Sequence, residues 1–98
     1  MDESSVRSHI FSEIDWERIK QDLKWGVQNH SPEVWMLILG EEVGEVNKAL
    51  VENRFDNRGL ESYRDELIQV GAVVVAMLEC LERSSGIISS DTKKEKDI

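Results

Sequence analysis

The segment LIQVGAVVVAMLECL, residues 67–81, constrains this chain more than any other. It is apolar on nearly every side, broken only by Gln69 and Glu79. Its valines, Val70, Val73, Val74 and Val75, would alone favour a strand, whereas the glutamates, arginines and leucines leading into it favour a helix. Length decides between them. The pattern runs without a breaker from Leu60 to about Arg83, several times the usual strand of roughly 5–6 residues, so a long helix is predicted. A helix apolar on nearly all sides needs more cover than two partners in its own chain can give, which predicts a homodimer or homotetramer. The run is too short and too interrupted for the roughly 20 apolar residues of a membrane span, so no membrane association is expected.

Two further helices are legible upstream. Ser12 with Asp15 three positions on resembles an N-cap, and Trp16, Ile19, Leu23 and Val27 recur at helical spacing, predicting a first helix over about 13–28. Ser31-Pro32-Glu33 is a stronger start signal. It joins a serine cap to a proline in the first helical position and an acidic residue facing the positive end of the helix dipole. The second helix is expected to run to about Asn53, and NRFDNRG, 53–59, to reverse the chain. Residues 1–11 carry no useful period and read as an N-terminal arm; 84–98 are polar and close to charge-balanced and read as a flexible tail. The expected architecture is an all-α antiparallel bundle of three main helices over 12–83, with room for a short fourth at the C-terminus, completed by oligomerisation.

Charge narrows the partners. Twelve basic and 20 acidic residues in 98 give a formal net charge of -8 and a pI near 4.7. A protein that grips a nucleic-acid polymer by neutralising phosphates is therefore not expected. The single cysteine, Cys80, has no internal disulfide partner and sits in the apolar run, where a buried, unreactive thiol is the simpler reading. With no signal peptide apparent, an intracellular, cytoplasmic location is expected.

The acidic residues are not spread evenly. LGEEVGEVNKAL, 39–50, places Glu41, Glu42 and Glu45 within one helical turn of each other, which costs roughly a few tenths of a kcal/mol per like-charged pair. A second cluster, Asp65 and Glu66, opens the apolar part of the third helix. Two antiparallel helices can set Glu42 and Glu45 opposite Glu66, and three converging carboxylates suit a hard cation such as Mg2+, with Mn2+ a possible substitute. Alone, an E-E-x-x-E cluster is more often a solvated helix face than a metal site.

EEVGEVNKAL followed some twenty residues later by DELIQVGAVVVAMLE resembles the MazG-like branch of the all-α nucleoside triphosphate pyrophosphohydrolases, whose signature is E-x-x-E and then E-x-x-D on consecutive helices. The resemblance extends over about 16–83 and includes the lead-in KWGVQNHSPEVW. By position it implies Glu42, Glu45 and Glu66 as Mg2+ ligands. Gln69 stands where the family usually has aspartate, and a neutral amide oxygen binds Mg2+ more weakly. The implied reaction is Mg2+-dependent hydrolysis of a nucleoside or deoxynucleoside triphosphate to the monophosphate and pyrophosphate, the cation neutralising the triphosphate and lowering the pKa of the attacking water. Glu41 or one of the ligand glutamates would accept the water's proton. Lys48, one turn past Glu45, would reach a phosphate, and Trp25 with Gln28 or His30 would contact the base.

Plainer readings stand beside these. Lys48 three residues after a glutamate is a routine surface pair, His30 is a loop residue before a helix cap, and Trp16 and Trp35 are expected in the core. Arg54, Arg58 and Arg64 are phosphate clamps from a neighbouring subunit or, more simply, solvated positions. A rival function is a non-catalytic acidic helical interaction module in which Gln69 marks a decayed metal site.

Overall fold

A computed structural model describes residues 2–56 and 60–85 of the chain. These form three helices, α1 (Glu3–Trp25), α2 (Pro32–Asp56) and α3 (Glu61–Ser85), with no strand among the described residues. The all-α architecture read from the sequence is the one adopted. Residues 57–59, Arg58 among them, and 86–98, where a short fourth helix was allowed for, lie outside the described residues.

The first helix begins much earlier than its periodicity suggests. Asp2, not Ser12, is the cap: its carboxylate accepts the Ser5 backbone N–H at 2.8 Å, and the supposed arm forms the opening turns of α1. The helix stops at Trp25 because Gly26 takes up a left-handed φ of 77°, closing the last turn with its N–H on the Asp22 carbonyl at 2.8 Å. At the start of α2 the Ser31 hydroxyl accepts the Val34 N–H at 3.3 Å, as the Ser-Pro-Glu signal predicts. Arg83 of α3 fastens the intervening loop through the Gln28 carbonyl and the Asn29 side chain.

α3 is the central element, packing against both α1 and α2, which barely meet each other. Trp35 near the start of α2 packs with Val73, Ala76 and Cys80 toward the end of α3, flanked by Ile38, Leu39 and Met77, so α2 and α3 run antiparallel. Ile14 of α1 comes so close to Gly71 that a Cβ there would lie 2.9 Å from its Cδ1. A side chain at position 71 would require the Ile14 side chain to move aside.

The faces of α1 are not distributed as expected. Its inward stripe is Ile10, Ile14, Arg18 and Gln21, while Trp16 is 61% exposed and Leu23 83%. Trp16 is therefore not core, whereas Trp35, 5% exposed, is. Arg18 takes a place where an apolar residue would be usual, and can do so because its guanidinium is bonded on several sides. Nε donates to Glu79 at 2.9 Å, Nη1 to Gln21 at 3.0 Å and Nη2 to Asp22 at 2.8 Å. Burial disfavours its charge, but the bonds to Glu79 and Asp22 outweigh this and raise its pKa further.

Candidate functional site

The inward stripe of α2 runs Trp35, Ile38, Glu42, Val46 and Ala49, and that of α3 runs Glu66, Gln69, Val73, Ala76 and Cys80. Both have the spacing of a buried helix seam. Glu42 interrupts the α2 stripe between Ile38 and Val46, and the α3 stripe is polar at Glu66 and Gln69 before Val73, so these three residues occupy positions that continue the core. Helix geometry, through the three- and four-residue spacing, carries Glu42 and Glu66 toward each other and Gln69 toward α1.

The electrostatics follow from that placement. Partial burial pushes the Glu42 carboxyl above its ordinary range, and repulsion from Glu66, Glu45, Glu41 and Glu17 pushes it the same way. Glu41 and Glu45 are exposed, and Glu66 and Glu17 are half-buried. The structure thus brings the two predicted acidic clusters within mutual influence, and adds Glu17 from α1, which pattern reading had not singled out. Among the described residues, no group of three or more His, Cys, Asp or Glu side chains is arranged as a ready coordination shell. In donor chemistry the cluster suits a hard divalent cation: its oxygens are carboxylate, and its surplus negative charge is partly desolvated.

Gln69 is engaged with α1. Its side-chain oxygen accepts from Gln21 Nε2 at 3.3 Å, and its amide donates to Glu17. Burial works against the charge on Glu17, but the bonds from Gln69 and Lys20 prevail and hold its carboxyl below the usual range. An aspartate at position 69 would be shorter, would have no N–H to give Glu17 and would repel it.

Beside the acidic cluster, at the junction of the three helices, lies a cavity of about 230 Å³. Arg18, Asp22, Trp25, Gln28, Glu42 and Gln69 are among its lining residues. Two of the three predicted base contacts, Trp25 and Gln28, therefore share one space with Glu42. His30 does not. It packs edge-on against Trp35 with ring centres 4.8 Å apart and lines a separate, mostly apolar cavity with Cys80, whose thiol donates to the His30 carbonyl at 3.6 Å. Lys48 is exposed one turn beyond Glu45, with no ion pair among the described residues. Arg64 pairs with Glu13 across α1 and α3, which accounts for it as a structural residue; the Arg54 side chain lies outside the described residues.

Arg18, Gln21 and Asp22 are the lining residues that sequence reading missed. The signal was present: Glu17, Arg18, Gln21 and Asp22 recur at three- and four-residue spacing on one face of α1. The competing stripe of Trp16, Ile19 and Leu23 on another face concealed it. Comparison of the chain with protein-family models, with curated proteins and with solved structures found no match. No helix among the described residues is long and apolar enough to cross a membrane.

Proposed function

We propose that this protein is a Mg2+-dependent nucleoside triphosphate pyrophosphohydrolase of the MazG-like kind, releasing pyrophosphate and a nucleoside monophosphate. The observation that carries the reading is the position of Glu42. It is a carboxylate on the inward stripe of a helix, crowded by four others, at the edge of a cavity lined by an indole and several hydrogen-bonding side chains. Placing charge there without a counter-ion is unfavourable, and an arrangement of this kind is more economically explained by a cation than by packing.

In this reading Glu42, Glu45 and Glu66 hold Mg2+, with Gln69 near them and Mn2+ able to substitute. The bound cation supplies charge neutralisation of the triphosphate and a lowered pKa for the attacking water. The chain's own residues do the rest. Trp25 and Gln28 border the space for the base, Lys48 lies within a turn of the cluster for a phosphate oxygen, and a carboxylate of the Glu41, Glu42 and Glu45 group takes the proton from water.

We also propose that the active species is a homodimer or homotetramer. Among the described residues the buried apolar set is small: Trp35, Ala49, Ala72, Val73, Ala76 and Cys80. Large apolar side chains on all three helices, Leu23, Leu37 and Leu78 among them, remain exposed in the single chain.

The direct test is pyrophosphate release from a panel of ribo- and deoxyribonucleoside triphosphates, with Mg2+ and with chelator. Release that requires Mg2+ and is abolished by Glu42→Gln, Glu45→Gln and Glu66→Gln is expected. No release from any triphosphate would favour the non-catalytic acidic module instead.

A further inference from the structure

Arg18 and Asp22 form a polar pair on the wall of the 230 Å³ cavity. A cavity of that size suits one ring system better than a whole nucleotide. Most of its polar wall is already occupied by bonds within the protein. Gln21 accepts from Arg18 and donates to Gln69, and Gln69 accepts from Gln21 and donates to Glu17. The amides of Gln21 and Gln69 each keep one N–H and one oxygen lone pair, but neither offers a ligand a charged or fixed group.

Two groups do. Arg18 has five N–H donors. Nε faces Glu79, Nη1 makes one bond to Gln21, and Nη2 serves Asp22 and Glu79, which leaves one Nη1 N–H. Asp22 receives Arg18 on Oδ1 at 2.8 Å, and its second oxygen has no hydrogen bond among the described residues. The pair thus keeps one donor and one charged acceptor unspent, on residues that line the same cavity as Trp25. Gln28 also lines the cavity, but a primary amide turns to donate or accept and so discriminates poorly.

We propose that Arg18 and Asp22 are the base-reading pair of the site, and that their ligand is the hydrogen-bonding edge of a nucleobase with a ring N–H or amino donor next to an acceptor. This rests on the nucleotide reading above. Asp22 sets the preference, because a carboxylate accepts only, and Arg18 holds it in place. Its anchorage to Glu79 on α3 and to Gln21 on its own helix fixes the guanidinium before any ligand arrives, so little ordering cost remains at binding. Bases differ in where their donors fall along the edge, so a fixed donor–acceptor pair ranks them.

The test separates base recognition from both phosphate binding and catalysis. Binding of α,β-non-hydrolysable nucleoside triphosphates of each base, and of inorganic tripolyphosphate as a probe without a base, is measured with Mg2+ by calorimetry on the wild type and on Asp22→Asn. The asparagine keeps its oxygen for Arg18 and turns an NH2 toward the cavity, so the fold, checked by melting, is retained. The wild type should bind nucleotides more tightly than tripolyphosphate. Asp22→Asn should weaken the preferred nucleotide about tenfold or more, change the ranking of bases and leave tripolyphosphate binding unchanged. Equal weakening of nucleotide and tripolyphosphate, or an unaltered ranking, would overturn the assignment. So would wild-type nucleotide binding no tighter than that of tripolyphosphate, even if pyrophosphate release showed the proposed reaction to be correct. Absence of pyrophosphate release with base-selective binding intact would instead remove the proposed reaction and leave the base-reading pair standing.

Discussion

Glu42→Gln is the most informative single change, because it should stabilise the protein while removing its proposed activity. In the folded chain the Glu42 carboxylate is partly desolvated and repelled by Glu66, Glu45, Glu41 and Glu17. Glu45, three positions on, costs a few tenths of a kcal/mol as a same-helix pair, and partial desolvation with the cross-helix repulsion from Glu66 and Glu17 brings the total to roughly 1 kcal/mol once solvent screening of this partly exposed group is allowed for. Glutamine has nearly the same shape and no charge. For a chain of this size about 1 kcal/mol corresponds to a rise of about 4–8 °C in Tm in chelator-treated buffer. The pH dependence supplies a second signature. The folded pKa of Glu42 is raised above the ordinary glutamate value of 4.5, so the native state binds more protons than the unfolded chain between the two values. Stability of the wild type therefore falls as pH rises from 4.5 through the raised pKa, and the penalty is fully present above it. Glu42→Gln should lack that fall, and the gap between the two proteins should close in acid. Adding Mg2+ should raise the wild-type Tm more than that of the variant. Melting curves by circular dichroism, with and without Mg2+ across this pH range, test all of this. A variant that melts lower than wild type in chelator at neutral pH would refute the reasoning, since it would mean that the Glu42 charge is already compensated within the fold.

Gln69→Asp should lower stability in metal-free buffer by about 1–3 kcal/mol, because it breaks the bonds with Gln21 and Glu17 and sets two carboxylates together; denaturant titration measures it. If the metal reading holds, the same variant should need less Mg2+ for half-maximal pyrophosphate release. Arg18→Ala should cost about 2–3 kcal/mol, somewhat below the value for a fully buried pair because Asp22 and Glu79 remain partly solvated, and Arg18→Lys should recover only part of the loss. Val74→Lys should leave the helical circular dichroism of the chain largely intact, since Val74 is exposed in the single chain, but should shift light scattering toward the monomer; an unchanged mass would show that subunits do not meet at this position.

How far the sequence could be read depended on which interactions were local. The SPE start of α2 and the helical nature of α3 were legible because caps and segment length act within a few residues. The end of α1 at Gly26 had its own local cause, a left-handed turn, but Trp25 and Val27 on either side kept the apolar rhythm going and hid it. The two acidic clusters were also legible, because three- and four-residue spacing on a helix determines which carboxylates share a face.

What only the tertiary structure decided was which face of each helix turned inward. On α1 two stripes competed, and the more apolar one, with Trp16 and Leu23, stayed outside. The inner stripe could be polar because Glu79, sixty-one residues away in the chain, offered Arg18 a carboxylate. For the same reason Gln69 could not be understood from its neighbours alone: its partners, Gln21 and Glu17, lie on another helix. Composition and spacing specify what each helix can bury. Pairing between distant polar groups, whose energy depends on the partner's position and on the surrounding solvent, selected what was buried here.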